Sequence, residues 1–435
     1  MIVVEGMGTG LVGAYGSCTA ITPAIDSLAA KGILLDQCFV DSQNLPQQLA
    51  SLWTARHALQ SSERKWNLWQ AVSERENAAW GARLFTDCEQ VASVADDYGC
   101  PSVTLVEPPL AKSPASDSSQ CSLMSLFAAA AEELASGDPG LLWIHSRGLR
   151  LPWDAPLELR AKFADPDDPL PPSEIEPPAF DVGPHTDPDD LVGWGQVAAA
   201  QCAVIDEAIS ALLHTVAGRN DAALWSWLLT SLGGVPLGEH GRVGWGFPQL
   251  FGEELHTATI VVPAPPLPIG VRRPELFQLP DIAASVAELL AIDVATEKGG
   301  YNRVARRSGT WGRSAIQYGV AESPQRWPNE LSLAMIAGNQ QVWLRTPAWS
   351  AVLPVAPTES ESSGPDLTEL GHTELEPEKL FVKPEDRWEV SNIADRRRDI
   401  VVRHHELAQV FWEAARHDDR SKLPTLEDDL TNLLR

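Results

Sequence analysis

Along the first 135 residues, short apolar runs alternate with stretches of helical spacing, which predicts βα units around a parallel sheet. Ile2–Val4 is the first expected strand. Thr22-Pro23 opens a helix running through Lys31, with Thr22 as N-cap, Pro23 at the first helical position and Gly32 as the stop. Ile33–Val40 predicts the second strand and Gln47–Arg56 a helix, followed by candidate strands at Arg83–Thr86 and Ser102–Val106. Leu123–Ala135 is an alanine-rich helix, and Leu141–Ile144 another buried strand. Residues 165–190 are dense in Pro and Asp, bury little apolar surface and read as an exposed loop. Then come a strong helix over Val197–Val216, an apolar run Ala222–Leu229, a strand Thr257–Val262 and a helix Pro280–Ala291.

After about residue 300 the pattern changes. Leu331–Ile336 and Gln341–Leu344 predict paired strands around an Ala-Gly-Asn-Gln turn, and Arg403–Arg416 a last helix. Residues 358–376 are acidic and Ser-rich, and are expected to be mobile. No internal repeat is visible. The expected fold is α/β, a three-layer sandwich with a mainly parallel central sheet, plus a small C-terminal antiparallel sheet with a helix. The expected domains are 1–310 and 311–435, with the boundary within 300–325.

A length of 435 residues with 44% hydrophobic and 21% charged positions suits this size of core. The formal net charge of −26 repels phosphate backbones and anionic lipids, so neither nucleic acid nor membrane is an expected partner. No run of residues approaches the length of a spanning helix. Met1 leads straight into the first strand, so a cytoplasmic location is expected for the chain as it stands, or export if an upstream signal has been lost. The six cysteines are scattered without a CxxC pair, and the ten histidines lack HxH or HxxxH spacing. Reduced, mostly buried thiols are therefore expected, and a zinc site is not.

Gly8-Thr9-Gly10-Leu11-Val12-Gly13 is formally a GxGxxG after a strand, with Asp36 about where a ribose-binding acid would lie. A dinucleotide site needs its third glycine inside a helix whose amides hold the pyrophosphate. Here the helix starts only at Thr22-Pro23. The nucleotide reading is correspondingly weak.

Glu5–Gly16, EGMGTGLVGAYG, resembles the first-strand loop of the sulfatases, in the alkaline-phosphatase-like superfamily. Residues 22–32 are similar to that family's Thr-Pro-Asn-Ile-Asp-x-Leu-Ala-x-x-Gly helix, and PQQLASLWTAR at 46–56 to its nucleophile helix. His145–Pro156, Gln196–Val216 with Asp206, Leu237–Gly241, Glu253–Val261 and Leu380–Ala394 resemble further blocks, in the family's order. The resemblance implies a Ca²⁺ held by carboxylates and a formylglycine made from a Cys or Ser. Each part has a physical role: a hard cation on oxygen ligands, an activated oxygen nucleophile, and cations at the developing charge.

This chain departs from that pattern at the chemistry. The family's aspartate pair is matched by Glu5-Gly6, and its second ligand pair, after Thr230-Ser231, by Leu232-Gly233. The nucleophile position falls on Leu45 or Asn44, depending on the register, with Ser42 just outside. Gln48 or Leu49 replaces the activating Arg, Arg150 the loop histidine, and no Gly-Lys-Trp-His segment is found. The expectation is a catalytically inactive protein with no catalytic residue, no metal and no cofactor. Its vestigial pocket would comprise Glu5, Gly6, Asn44, Leu45, Gln48, Arg56, Arg150, Leu232 and Gly233, and would bind a small anion, a sugar or a protein. The alternative is a sulfuric or phosphoric ester hydrolase with an unorthodox site.

The surviving polar residues also have plain readings. Glu5 is expected to be solvated or bonded to loop amides, and Arg56 to fix a helix end. Arg150 either binds an anion or pairs with an acid. His240 and His256 are expected in loop and packing roles. Trp225 and Trp227 are expected to share one face of a strand.

Overall fold

The computed structural model describes residues 1–60, 66–74, 81–246, 250–264, 270–292, 311–319, 332–338, 340–355 and 377–431. They form two compact units that interleave along the chain: 1–36, 69–246 and 256–272 in the first, and 37–68, 247–255 and 273–435 in the second. Much of the expected boundary region 300–325, and the whole acidic segment 358–376, lie outside the described residues.

The strands in chain order are β1 (Ile2–Glu5), β2 (Ile33–Phe39), β3 (Ala82–Thr86), β4 (Val103–Leu105), β5 (Leu141–Ser146), β6 (Phe180–Asp181), β7 (Trp227–Leu232), β8 (Arg242–Val243), β9 (His256–Val262) and β10 (Val271–Gln278). Eight of them form one sheet in the order β10-β2-β9-β7-β1-β5-β3-β4, with helices on both faces. β1 runs parallel to β5 and β7, and β3 runs parallel to β5 and β4. β9 is antiparallel to β7, and β6 and β8 form a separate two-stranded ladder. The α/β fold class is as expected. Ile2, Val3 and Val4 are fully buried, as a central strand covered on both faces requires. The strand therefore delivers Glu5 to its C-terminal end, where sites in such sheets are built.

The apolar pattern misses β10. Its sequence, VRRPELFQ, alternates poorly because Arg273 and Glu275, 1% and 0% exposed, are buried as an ion pair 2.5 Å apart. Pro274 is tolerated because β10 is an edge strand. At β7 the strand starts at Trp227, so Trp225 precedes it, capping a 3-10 turn at Ala222–Leu224. The expectation that the two tryptophans share one strand face is corrected accordingly.

The main helices are α1 (Pro23–Ala29), α2 (Leu45–Thr54), α3 (Glu89–Asp97), α4 (Met124–Ser136), α5 (Pro188–Ala217), α6 (Leu279–Leu289) and α7 (Arg398–Arg416). In the first unit α1, α4 and α5 pack together. α5 begins nine residues before Val197, where Asp187 caps the Asp189 amide at 3.0 Å and Pro188 takes the first helical position. By length and composition α5 would suffice to cross a membrane, but 67% of its most apolar window is buried inside the molecule. It is the core helix. The Pro- and Asp-rich loop before it is fixed by Arg160, fully buried, which donates to the carbonyls of Trp153, Ala155, Pro172 and Glu174.

Thr22 stands at the N-cap of α1 as expected, but its hydroxyl is turned elsewhere. It accepts the Gly13 amide at 2.9 Å and donates to Asp26 at 3.2 Å. The amides of Ala24 and Ile25 are bound instead by the carboxylate of Asp206, from α5, at 3.0 and 2.9 Å. Burial pushes the Asp206 carboxyl up, and the two amide bonds oppose this. Asp206→Ala leaves two helix amides without their acceptor, so a loss of about 2–3 kcal/mol in urea unfolding is expected. A change below about 0.5 kcal/mol would show that this cap contributes little.

In the second unit β11 (Ala334–Ala337), β12 (Gln341–Arg345), β13 (Trp349–Pro354) and β14 (Lys379–Val382) form an antiparallel sheet in chain order. α7 packs on β12 and β13 and starts five residues before Arg403. Trp311, Leu344, Trp349 and Phe411 belong to its core. In the same unit α2 packs on α6.

Candidate functional site

Glu5 is 4% exposed, yet its carboxylate is not left to loop amides or water as expected. Oε1 lies 3.0 Å from His145 Nε2, and Oε2 lies 3.2 Å from Arg150 Nε. His145, fully buried on β5, is the register partner of Val3 on β1, two residues before Glu5 and on the same face. Arg150 ends a 3-10 turn that begins at Gly148. Gly148 has φ +51°, and a Cβ there would meet the Glu5 carbonyl oxygen and Val4 Cγ1 at 2.5 Å. Only glycine lets this turn lie so close to the end of β1. The Arg150 guanidinium sits 5.0 Å above the centre of the Trp245 ring, within cation–π range. Of the two roles left open for Arg150, the geometry shows pairing with an acid.

Gly6, beside Glu5, has φ +78° and donates its amide to the Leu232 carbonyl at 3.3 Å. A Cβ on Gly6 would stand 2.6 Å from Trp245 Cζ2. The indole edge thus fills the space that a side chain at position 6 would need. Leu232, the register partner of Glu5 on β7, is buried, and Gly233 after it has φ +67°. Glu5, Gly6, Arg150, Leu232 and Gly233 therefore come together in the first unit.

A calcium ion asks for about six to eight oxygen ligands. Among the positions matched to the implied ligands only Glu5 carries a carboxylate, both of its oxygens face nitrogen groups, and a guanidinium stands beside it. Among the described residues no group of three or more His, Cys, Asp or Glu side chains is arranged to hold a metal. The residues present do not fit the calcium that the resemblance implies.

Sequence reasoning missed three polar neighbours. Asp87, just after β3, accepts the Arg147 amide at 2.7 Å and the Ser146 hydroxyl at 3.3 Å. Its carboxyl is pushed up by burial, and the Arg147 amide bond pulls the other way. His145, Ser146 and Asp87 all sit at or just beyond strand ends. The available signal was two polar residues closing the apolar strand Leu141–Ile144. The Glu5 pairing itself had none, because His145 is 140 residues away.

The other candidates in this unit are structural. The glycine-rich loop forms two 3-10 turns, Thr9–Leu11 and Gly13–Tyr15, and does not open an α-helix. A Cβ on Gly13 would strike Asp26 Oδ2 at 2.5 Å, so this glycine serves a contact with α1. Asp36 pairs with Arg272 at 2.5 Å. His256 packs edge-on to Tyr15, with Nε2 2.8 Å from the Asp36 carbonyl and Nδ1 3.3 Å from the Thr9 hydroxyl. His240 lies in a turn with φ +50°.

Asn44, Leu45, Gln48 and Arg56 belong to the second unit and serve the ends of α2. Asn44 is its N-cap, accepting the Gln47 amide at 3.2 Å, and Leu45 is the first helical residue. Gln48 donates to the Ser42 carbonyl at 2.6 Å. Ala55 closes the helix in the left-handed conformation, and Arg56 beyond it donates to Gln60 at 2.8 Å. Ser42, the nearby hydroxyl, donates to Gln47 at 2.6 Å and accepts the Asn44 amide at 3.0 Å. Just before it, Asp41 Oδ2 accepts from the Ser51 hydroxyl at 2.6 Å and the Ala58 amide at 2.9 Å, while its buried Oδ1 has no partner among the described residues. Burial pushes the Asp41 carboxyl up to about 7.

No family model matches the chain, and no curated protein matches it. Solved structures do. A phosphonate monoester hydrolase of Agrobacterium radiobacter superposes with a TM-score of 0.67 at 13% identity, covering 95% of each chain. A 2-O GAG sulfatase superposes with a TM-score of 0.67 at 14% identity, covering 99% of this chain and 96% of its own. A phosphonate monoester hydrolase from Silicibacter pomeroyi gives 0.64 at 13% identity, with 98% and 95% covered. At these identities the likeness is one of architecture, and it extends over nearly the whole of each chain. The chain shares the α/β fold of these sulfatase and phosphonate monoester hydrolase structures.

Proposed function

We propose that this protein carries the sulfatase-like fold without its hydrolytic chemistry, and acts by binding a small anion, a sugar or a partner protein at the C-terminal ends of β1 and β5. The observation that carries this reading is the Trp245 edge against Gly6. It fills the place a second carboxylate would take. The pairing of Glu5 with His145 and Arg150 supports the same reading, because it leaves the remaining carboxylate engaged. Asn44 and Leu45 add to it chemically, since neither an amide nor an alkyl side chain can become formylglycine.

Two outcomes are expected. The intact mass should equal that of the unmodified chain even after co-expression with a formylglycine-generating enzyme; an aldehyde in the peptide around Pro46 would overturn the assignment of Asn44 and Leu45. Aryl sulfates, aryl phosphates, phosphodiesters and phosphonate monoesters should turn over only at background rates from about pH 5 to about pH 9, where catalytic acids and bases usually titrate. The competing reading, a metal-free hydrolase that has recruited Glu5 or Arg150 to activate water, requires saturable turnover that survives chelator and is lost in Glu5→Gln or Arg150→Ala.

A further inference from the structure

We propose that Arg150, half-exposed and stacked on Trp245, is a built-in counter-ion that replaces a divalent metal at the end of β1, so that the first unit folds around Glu5 without any metal. The inference does not depend on whether the protein catalyses a reaction.

A carboxylate as buried as Glu5 needs a compensating charge or several hydrogen bonds. In this chain the charge comes from Arg150 Nε at 3.2 Å on one oxygen, while His145 Nε2 at 3.0 Å occupies the other. A guanidinium suits the task better than an ammonium would. It is planar, weakly hydrated and able to lie on an aromatic face while its edge meets a carboxylate. Both features are present: the Trp245 ring lies beneath Arg150, and the edge of the same indole closes the space above Gly6. Trp245 thus does two things at once, holding the cation and excluding a second ligand. Gly148, with φ +51°, lets the turn carrying Arg150 reach the strand end. A divalent ion brought to Glu5 would meet the guanidinium at close range and be repelled by it, an effect that solvent around the half-exposed Arg150 screens in part.

The test uses the full chain and thermal unfolding, with elemental analysis alongside. Wild-type protein should contain no stoichiometric calcium or magnesium, and its midpoint should move by less than about 1 °C in EDTA or in millimolar CaCl₂ or MgCl₂. Glu5→Gln and Arg150→Gln should each lower the midpoint by several degrees, and the double variant should fall no further than the worse single one, because the two act as a pair. Arg150→Lys, which keeps the charge and loses the planar stack, should lie between wild type and Arg150→Gln. A midpoint that falls with chelator, a bound divalent ion, or strictly additive effects of the two single substitutions would overturn the proposal. Should a single variant fail to fold, the chelator response and the Arg150→Lys midpoint still decide. Hydrolytic turnover in EDTA would sink the non-catalytic reading and leave this one standing.

Discussion

Gly6→Asp, the substitution that adds a second carboxylate beside Glu5, should lower stability by about 2–5 kcal/mol and gain no calcium response. Two costs combine. The backbone at Gly6 is at φ +78°, which side-chain-bearing residues adopt only with strain, and the new Cβ must displace Trp245 Cζ2 from 2.6 Å. Gly6→Ala should pay nearly the same, since both costs arise at Cβ. Pairing Gly6→Ala with Trp245→Ala should recover the steric part and retain the backbone part. Urea unfolding with and without calcium decides. A Gly6→Asp protein as stable as wild type, and stabilised further by calcium, would mean that Trp245 yields readily and that metal binding is one substitution away.

Asp41→Asn should make the protein more stable than wild type at pH 8 and remove part of its pH dependence. Burial raises the Asp41 carboxyl to about 7 in the folded chain, aided by the charge of Asp281, while the Ser51 hydroxyl and the Ala58 amide oppose the rise. The folded state then holds a proton that the unfolded chain has released, between about pH 4 and about pH 7. Stability from this group is therefore greatest at low pH, falls as pH rises through that window, and is flat above it. About three pKa units at about 1.4 kcal/mol each bounds the effect near 4 kcal/mol. Asn keeps an oxygen for Ser51 and Ala58 and cannot ionise. Comparing the urea midpoints of variant and wild type at pH 5 and pH 8 cancels the contribution of the other acids. An unchanged difference between the two pH values would place the titration elsewhere.

The periodicity of the chain sufficed for most strands of the large sheet and for β11 and β12 of the C-terminal sheet, because their interiors are apolar and their borders are turns, but it missed β13 and β14. It failed where burial is achieved by pairing charges. β10 hides Arg273 against Glu275, a pattern that reads as a polar segment until the partner is known. It failed again where a local signal was outcompeted by a distant one. Thr22-Pro23 is a good helix start, but Asp206 takes the amides that Thr22 was expected to serve. At the candidate site, Gly6, Leu232 and Gly233 were legible as departures from the pattern that the chain resembles. What fills their place was not. Trp245 and His145 are brought to Glu5 only by the order of the strands and by the turns that follow them.

The position of β1 in that order also bears on how the chain is made. Ile2, Val3 and Val4 are hydrogen-bonded between β5 and β7, the farther of which ends at Leu232. At about 5–20 residues per second, a ribosome needs roughly ten to forty-five seconds to travel from the one to the other. During that interval β1 gains its neighbour β5 first and lacks β7 until the end, while the α1 amides await the Asp206 carboxylate. One side of this central strand therefore stays unpaired until more than two hundred further residues have been made.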